Sequence, residues 1–326
     1  MSEDEPIDLP ELSPSDDQPL VSVVVASYEA QRPRVERLLR SVADQPYETL
    51  EVVIADSSRQ PFLAATAAET TWVRHIPSEP RGVSTGFNEA IDNATGEILA
   101  VIADDDFVTE HRFTRTVEEI QNGADIVYGD VYDLDDETGE RRYRSAMGID
   151  DPDELWIDLF RFDGVAGSIP AATVTFRAEC VETNRFHEEL AGGEDYHLWV
   201  RLFEQYDPAY VAEPLAVMRQ HDESLSSDPD LMYENRLQAI DLLVEEYPEL
   251  APYADERQQL ERYDYARQLM FEGRLSEART HFSTLLTESR HYRSGLMLGI
   301  SLLPVDRQRV VRGLDRLRAA VTDLLG

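Results

Sequence analysis

A chain of 326 residues exceeds a usual single domain and can bury a sizeable core, so two domains, or one large domain with an appendage, are expected. With 65 acidic against 30 basic residues and no lysine, the formal net charge of −35 argues against a nucleic-acid or anionic-membrane surface, since both would be repelled. It suits a protein kept in solution by concentrated salt, where a Debye length of roughly 3 Å at 1 M screens the self-repulsion.

The single cysteine, Cys180, excludes an internal disulfide and a cysteine zinc site and points to a reducing, cytoplasmic setting. Residues 1–19 are acidic and proline-bearing, lack the basic and apolar parts of a signal peptide, and read as a disordered lead. No apolar run approaches the roughly 20 residues that span a bilayer; the nearest, residues 295–304, is about half that length.

From residue 20 the pattern alternates. Val21-Ser22-Val23-Val24-Val25-Ala26 is a buried strand ending at Ser27-Tyr28. After Pro33, the residues Val35, Leu38, Leu39 and Val42 mark one face of a helix. Leu50-Glu51-Val52-Val53-Ile54-Ala55 is a second strand ending in Asp56-Ser57-Ser58, residues 72–76 a third, and Arg81-Gly82 opens a helix over residues 83–93. The apolar run of residues 97–103 then stops at Asp104-Asp105-Asp106. Flanking turn residues favour a strand there, although periodicity alone leaves a short buried helix open. Strand and helix in alternation predict a parallel sheet with right-handed crossovers, and ligands of such sheets sit beyond the carboxyl ends of the strands. Ser27, Asp56 and the acidic trio all fall at that end.

Three adjacent carboxylates repel one another unless a cation neutralises them, and hard oxygen ligands suit Mg2+ or Mn2+. On spacing alone a solvated turn remains open in so acidic a chain. Further on, residues 109–121 make an amphipathic helix, residues 125–132 a strand, and residues 135–139 a hairpin tip with residues 141–143 returning. Residues 162–171 read as a loop, residues 173–176 as a strand, Glu194-Asp195 as the start of a helix, and residues 209–218 as the last strand. Two acids in a first helical turn are also favourable against the macrodipole with no chemical role. Beyond Asp228 only helical periodicity remains, with helices over residues 231–246, 253–272, 275–289, 291–303 and 305–325. One pair, around Gly273, resembles a tetratricopeptide-type hairpin, but one repeat is too few for a solenoid.

In order, the first strand with Ser27-Tyr28, then Val53-Ile54-Ala55-Asp56-Ser57-Ser58, Arg81-Gly82-Val83-Ser84 with Asn88 and Gly96-Glu97, the acidic trio, and Gly193-Glu194-Asp195 with Leu198, Arg201 and Leu202 resemble the motifs of the family 2 inverting glycosyltransferases. The resemblance implies an α/β, GT-A fold: a Rossmann-like, mostly parallel central sheet flanked by helices over residues 20–227, with an all-α C-terminal appendage over residues 228–326. It implies a non-processive enzyme moving a sugar from a nucleotide-diphosphate sugar, a UDP-sugar first, to a glycan, lipid-linked or protein acceptor, without nucleic acid. By resemblance Asp195 is the general base. Ala26, Ser27, Tyr28, Glu29, Asp56, Arg81, Gly82, Asn88, Asp104, Asp105 and Glu194 line the donor site. Asp104, Asp106 and His221 hold a divalent cation, Mn2+ or Mg2+. The family usually has an acid where Ala103 stands, which leaves open which carboxylate grips the metal. A halophilic archaeal source, action at the inner face of the cell membrane with peripheral association, and a homodimer through the C-terminal helices complete the expectation. The alternatives are a catalytically inactive sugar-nucleotide-binding or scaffold protein, or a nucleotidyltransferase. The latter is disfavoured because Ser27-Tyr28-Glu29-Ala30 has neither glycine nor lysine.

Overall fold

The computed structural model describes residues 5–146, 148, 151–161, 169–220, 228–288, 292–303, 310 and 311. In chain order these form β1 (Val21–Ser27), α1 (Arg32–Ala43), β2 (Leu50–Asp56), α2 (Pro61–Glu69), β3 (Val73–Pro77), α3 (Val83–Asn93), β4 (Ile98–Val101), β5 (Phe107–Val108) and α4 (Arg112–Gln121). There follow β6 (Ile126–Asp135), β7 (Arg141–Arg144), α5 (Leu155–Arg161), β8 (Thr175–Arg177), α6 (Glu194–Gln205) and β9 (Pro208–Gln220). Four helices close the described chain: α7 (Pro229–Glu246), α8 (Ala251–Phe271), α9 (Leu275–Glu288) and α10 (Tyr292–Leu302).

The strands make one sheet in the order β3-β2-β1-β4-β8-β6-β9-β5, with β7 paired to β6. The first half, β3-β2-β1-β4, is parallel, as the alternation of strands and helices requires. β8 enters antiparallel between β4 and β6, and β9 runs parallel to β6 with a bulge at Gly129 and Asp130. The strands alternate their side chains between two cores. Val21, Val23 and Val25 meet α1, α2 and α4 on one face. Val24, Val53 and Ala55 meet α3, α5, α6 and α7 on the other. α8, α9 and α10 share a third core around Phe282. Ile240, Leu243 and Leu250 belong to the second core, so the start of the helical region is built into the sheet domain.

Residues 5–19, expected to be disordered, pack on the domain. Ile7 is buried and its N–H donates to Thr66 Oγ1 at 2.9 Å, while Trp72 Nε1–H donates to the Pro10 carbonyl at 3.0 Å. The acidic residues of this segment face solvent and its few apolar ones reach the core beside α2.

Candidate functional site

β1 and β2 end side by side, with Ser27 in register with Asp56. The Ser27 carbonyl accepts from Ser57 N–H and Ser57 Oγ, both at 3.0 Å, and Ser27 Oγ donates to Asp104 Oδ2 at 2.6 Å. Three expected groups therefore converge beyond one end of the parallel half of the sheet. Tyr28 is 65% exposed there, beside a partly buried Ala26, and Glu29 holds a left-handed φ of 51°. A non-glycine residue in that region is uncommon and is often found at sites.

Asp56 is occupied by partners of its own. It is fully buried, and its carboxylate accepts from Ser58 N–H (3.0 Å), Ser58 Oγ (2.8 Å) and Gln60 N–H (2.6 Å), with His75 Nε2 at 3.1 Å. Burial pushes its pKa up, but the hydrogen bonds from His75, Ser58 and Gln60 outweigh this and leave it below the ordinary value. The carboxylate shapes the loop after β2. His75, its partner from β3, carried no signal in the sequence beyond its place in a strand.

The acidic trio divides. Asp104 and Asp105 are partly exposed, whereas Asp106 is 5% exposed and its Oδ1 accepts the Arg219 N–H of β9 at 2.8 Å. Asp106, expected as a metal ligand, thus fastens β9 at the junction where β5 pairs with it. Burial, opposed by the Ser27 hydrogen bond and reinforced by the Asp105 charge, pushes Asp104 to about 7; Arg34 pulls the other way. Arg34, to which the sequence drew no attention, also lies 4.0 Å from Asp136. Arg219 grips the same Asp136 with both Nε (2.9 Å) and Nη2.

Among the described residues, no three acidic, histidine or cysteine side chains converge on a point that could hold a metal ion. Two partly exposed carboxylates, Asp104 and Asp105, fit a hard cation that takes its remaining oxygens from water and substrate phosphate. His221 lies outside the described residues.

α3 is the wall between the strand tips and the rest of the site. Gly82 caps it with φ of 104°, which favours glycine, and exposed Arg81 pairs with Glu89 at 2.6 Å. A Cβ on Gly86 would stand 2.9 Å from Ala26 Cβ, so α3 lies directly on the tip of β1. Its opposite face holds residues 186–190. Ser84 Oγ donates to the Leu190 carbonyl at 2.9 Å. The Asn88 amide both donates to the Phe186 carbonyl (2.9 Å) and accepts the Phe186 N–H (3.1 Å). Asn88, expected to touch the donor, is buried, and its amide is spent on Phe186.

The clipped segment leads into α6 through Gly193, whose φ of 73° is again left-handed. Glu194 and Asp195 form the first helical turn, and Asp195 Oδ1 accepts the adjacent Tyr196 N–H at 2.7 Å. A helix N-terminus favours carboxylate anions. Burial wins here: it pushes Glu194 to about 8, helped by the charge of Asp195, and raises Asp195 as well, against its neighbouring N–H groups and Arg236. A carboxylate raised in this way is a stronger base than one in water.

Residues 22–178 match the family model described as Glycosyl transferase family 2. A GalNAc(5)-diNAcBac-PP-undecaprenol beta-1,3-glucosyltransferase of Campylobacter jejuni is 21% identical over 193 residues, 57% of this chain and 60% of its own length. An uncharacterized glycosyltransferase of Rickettsia conorii is 25% identical over 215 residues, 63% of this chain and 34% of its own length. The chain thus spans from about a third to somewhat under two thirds of these relatives. Among solved structures, a mannosyltransferase of Pyrobaculum calidifontis in complex with GDP-Man and Mn2+ superposes with a TM-score of 0.59 at 18% identity, over 98% of this chain and 90% of that one. S. aureus TarS 1-349 in complex with UDP-GlcNAc gives 0.55 at 15% identity, over 82% and 85%. Residues 22–178, the part of the chain that builds these strand tips, are thus similar to Glycosyl transferase family 2, and the chain has a GT-A-like fold.

Proposed function

We propose that the chain is a non-processive, inverting glycosyltransferase that moves a sugar from a nucleotide-diphosphate sugar to an acceptor hydroxyl, with Asp195 as general base. The observation that carries this is the linkage through α3. One wall joins the β1 tip, by Gly86 on Ala26, to the segment that delivers Glu194-Asp195, by Ser84 and Asn88. This linkage supports a donor crevice and a base held on one element.

In this scheme Ser27, Tyr28, Glu29, Arg81 and Gly82 border the donor, and Asp56 acts by shaping the loop that borders the base. Arg81 exchanges Glu89 for a phosphate, which its planar guanidinium suits. Asp195 takes the proton of the acceptor hydroxyl as that oxygen attacks the anomeric carbon. The bond from that carbon to the diphosphate breaks, the nucleoside diphosphate leaves, and the configuration inverts. Glu194 binds sugar hydroxyls beside it. Asp104 and Asp105 would hold the divalent cation, Mn2+ or Mg2+, with His221 as a further candidate. When bound, it neutralises negative charge on the departing diphosphate.

UDP-GlcNAc and GDP-Man, the ligands of the two structural neighbours, are the first donors to try. A lipid-diphosphate-linked glycan, met from the cytoplasmic side of the membrane, is the first acceptor class, after the name of the C. jejuni relative. No helix among the described residues is long and apolar enough to cross a membrane. The test is a panel of sugar nucleotides with Mn2+ or Mg2+ in high salt, reading nucleoside diphosphate release. Release of nucleoside diphosphate that stops with a chelator supports the scheme; pyrophosphate release, or full activity in the chelator, overturns it. Asp195→Asn should lower turnover by about 10² to 10⁴ with donor affinity unchanged.

A further inference from the structure

The turn that delivers Glu194 and Asp195 is held from the helical region that follows the sheet. Ala191 N–H donates to Asn235 Oδ1 at 2.8 Å. A Cβ on Gly192 would stand 2.7 Å from Met232 Sδ, and one on Gly193 would stand 3.2 Å from Arg236 Cγ. Met232, Asn235 and Arg236 all lie on α7, beyond the residues that match the family model. Three successive residues of the turn thus rest on successive positions of one helix face.

Arg236 brings the one cation whose charge bears on both Glu194 and Asp195 among the described residues. It is fixed from behind. Its Nη1 lies 3.4 Å from Glu261 Oε2 on α8, and Glu261 is also gripped by Arg257. Both of those α8 side chains are nearly inaccessible. Arg257 sits 5.3 Å over the Tyr196 ring, and Tyr196 O–H donates to the Phe160 carbonyl of α5 at 3.0 Å. A chain of contacts therefore runs from Gly193 through Arg236 to α8 and returns to α6 at Tyr196, one residue after Asp195.

We propose that Arg236 is the positioning residue of the Glu194-Asp195 pair, packing on the turn that presents the two carboxylates and supplying a positive charge beside that turn. This role rests on Asp195 being the general base. The charges that bear on Asp195 are those of Glu194 on its own helix and Arg236 on α7; beside Arg236 stand Glu261, Arg257 and Asp264 on α8. An opposite charge favours the ionised carboxylate, which is the form that accepts a proton. Without it, burial and the like charge of Glu194 would keep Asp195 protonated to higher pH.

The test uses the full chain and the pH profile of kcat/KM for transfer, with donor affinity and the unfolding midpoint measured alongside. Arg236→Met should move the acid limb of the profile up by about one pH unit, leaving donor affinity unchanged. Arg236→Lys should bring the limb most of the way back. Glu261→Gln, which removes the carboxylate competing for Arg236, should move the limb the other way, and it serves as the test if Arg236→Met does not fold. An unmoved limb in a folded Arg236→Met or Glu261→Gln protein overturns the role. Undiminished transfer by Asp195→Asn is a different result and overturns the base itself.

Discussion

An alanine at position 96 would place its Cβ 2.6 Å from the Leu20 carbonyl oxygen and 2.7 Å from Ser22 Oγ. Both neighbours are fixed: Ser22 Oγ donates to Glu51 at 2.6 Å and accepts the Gly96 N–H at 2.8 Å. Gly96→Ala should therefore cost about 1–3 kcal/mol by overpacking, seen as a lower midpoint in denaturant, with activity per folded molecule preserved. Asp56 gives a second prediction at this scale. Its folded pKa lies below the unfolded value because the bonds from His75, Ser58 and Gln60 outweigh burial, so its stabilisation is present above the unfolded value and is lost as pH falls through the folded one. Asp56→Asn should be less stable than the parent at neutral pH and lose less stability on acidification, as thermal melts from pH 7 down to about 2 would show. The sequence showed where carboxylates and amides fall along the chain, at strand tips and helix starts. It did not show which way Asp56, Asn88 and Asp106 point, because that depends on donors brought from His75, Phe186 and Arg219 by the fold.

Elements were legible where their apolar spacing was strong. The first four parallel-sheet strands, α1, α3, α4 and α6 follow from it. α2 does not, since Pro61–Glu69 is rich in alanine and has no one-sided stripe, although alanine itself favours a helix. α5 escaped for want of length, with seven residues. The site depends most on α3, whose two clips to residues 186–190 join distant parts of the chain. Asn88→Ala removes both bonds to Phe186 and strands a buried N–H and carbonyl, which should cost about 1–3 kcal/mol. If the clip also aims the acceptor side, the KM for acceptor should rise while the KM for donor stays, and steady-state kinetics separate the two.

At the scale of the molecule, charge dominates. A net −35 on 326 residues repels itself in dilute buffer, and exposed ion pairs such as Arg59 with Glu79 contribute little. Unfolding midpoints should rise markedly between dilute buffer and molar KCl; equal midpoints would contradict salt adaptation. Composition also drew a boundary near residue 228, where strands give way to helices. Packing ignores it, since α7 reaches the second core of the sheet and α8 continues the contact behind Tyr196. That continuity is invisible to periodicity, which reports the face of a helix but not the surface it meets.

The clips from α3 engage only main-chain atoms of Phe186 and the carbonyl of Leu190, while Glu188 and Glu189 between them are exposed. The scaffold therefore places few demands on the identity of those two side chains. Tolerance is the consequence: variants randomised at positions 188 and 189 should remain folded, with unfolding midpoints close to the parent's, so this short stretch can drift in sequence without disturbing the scaffold on either side of it.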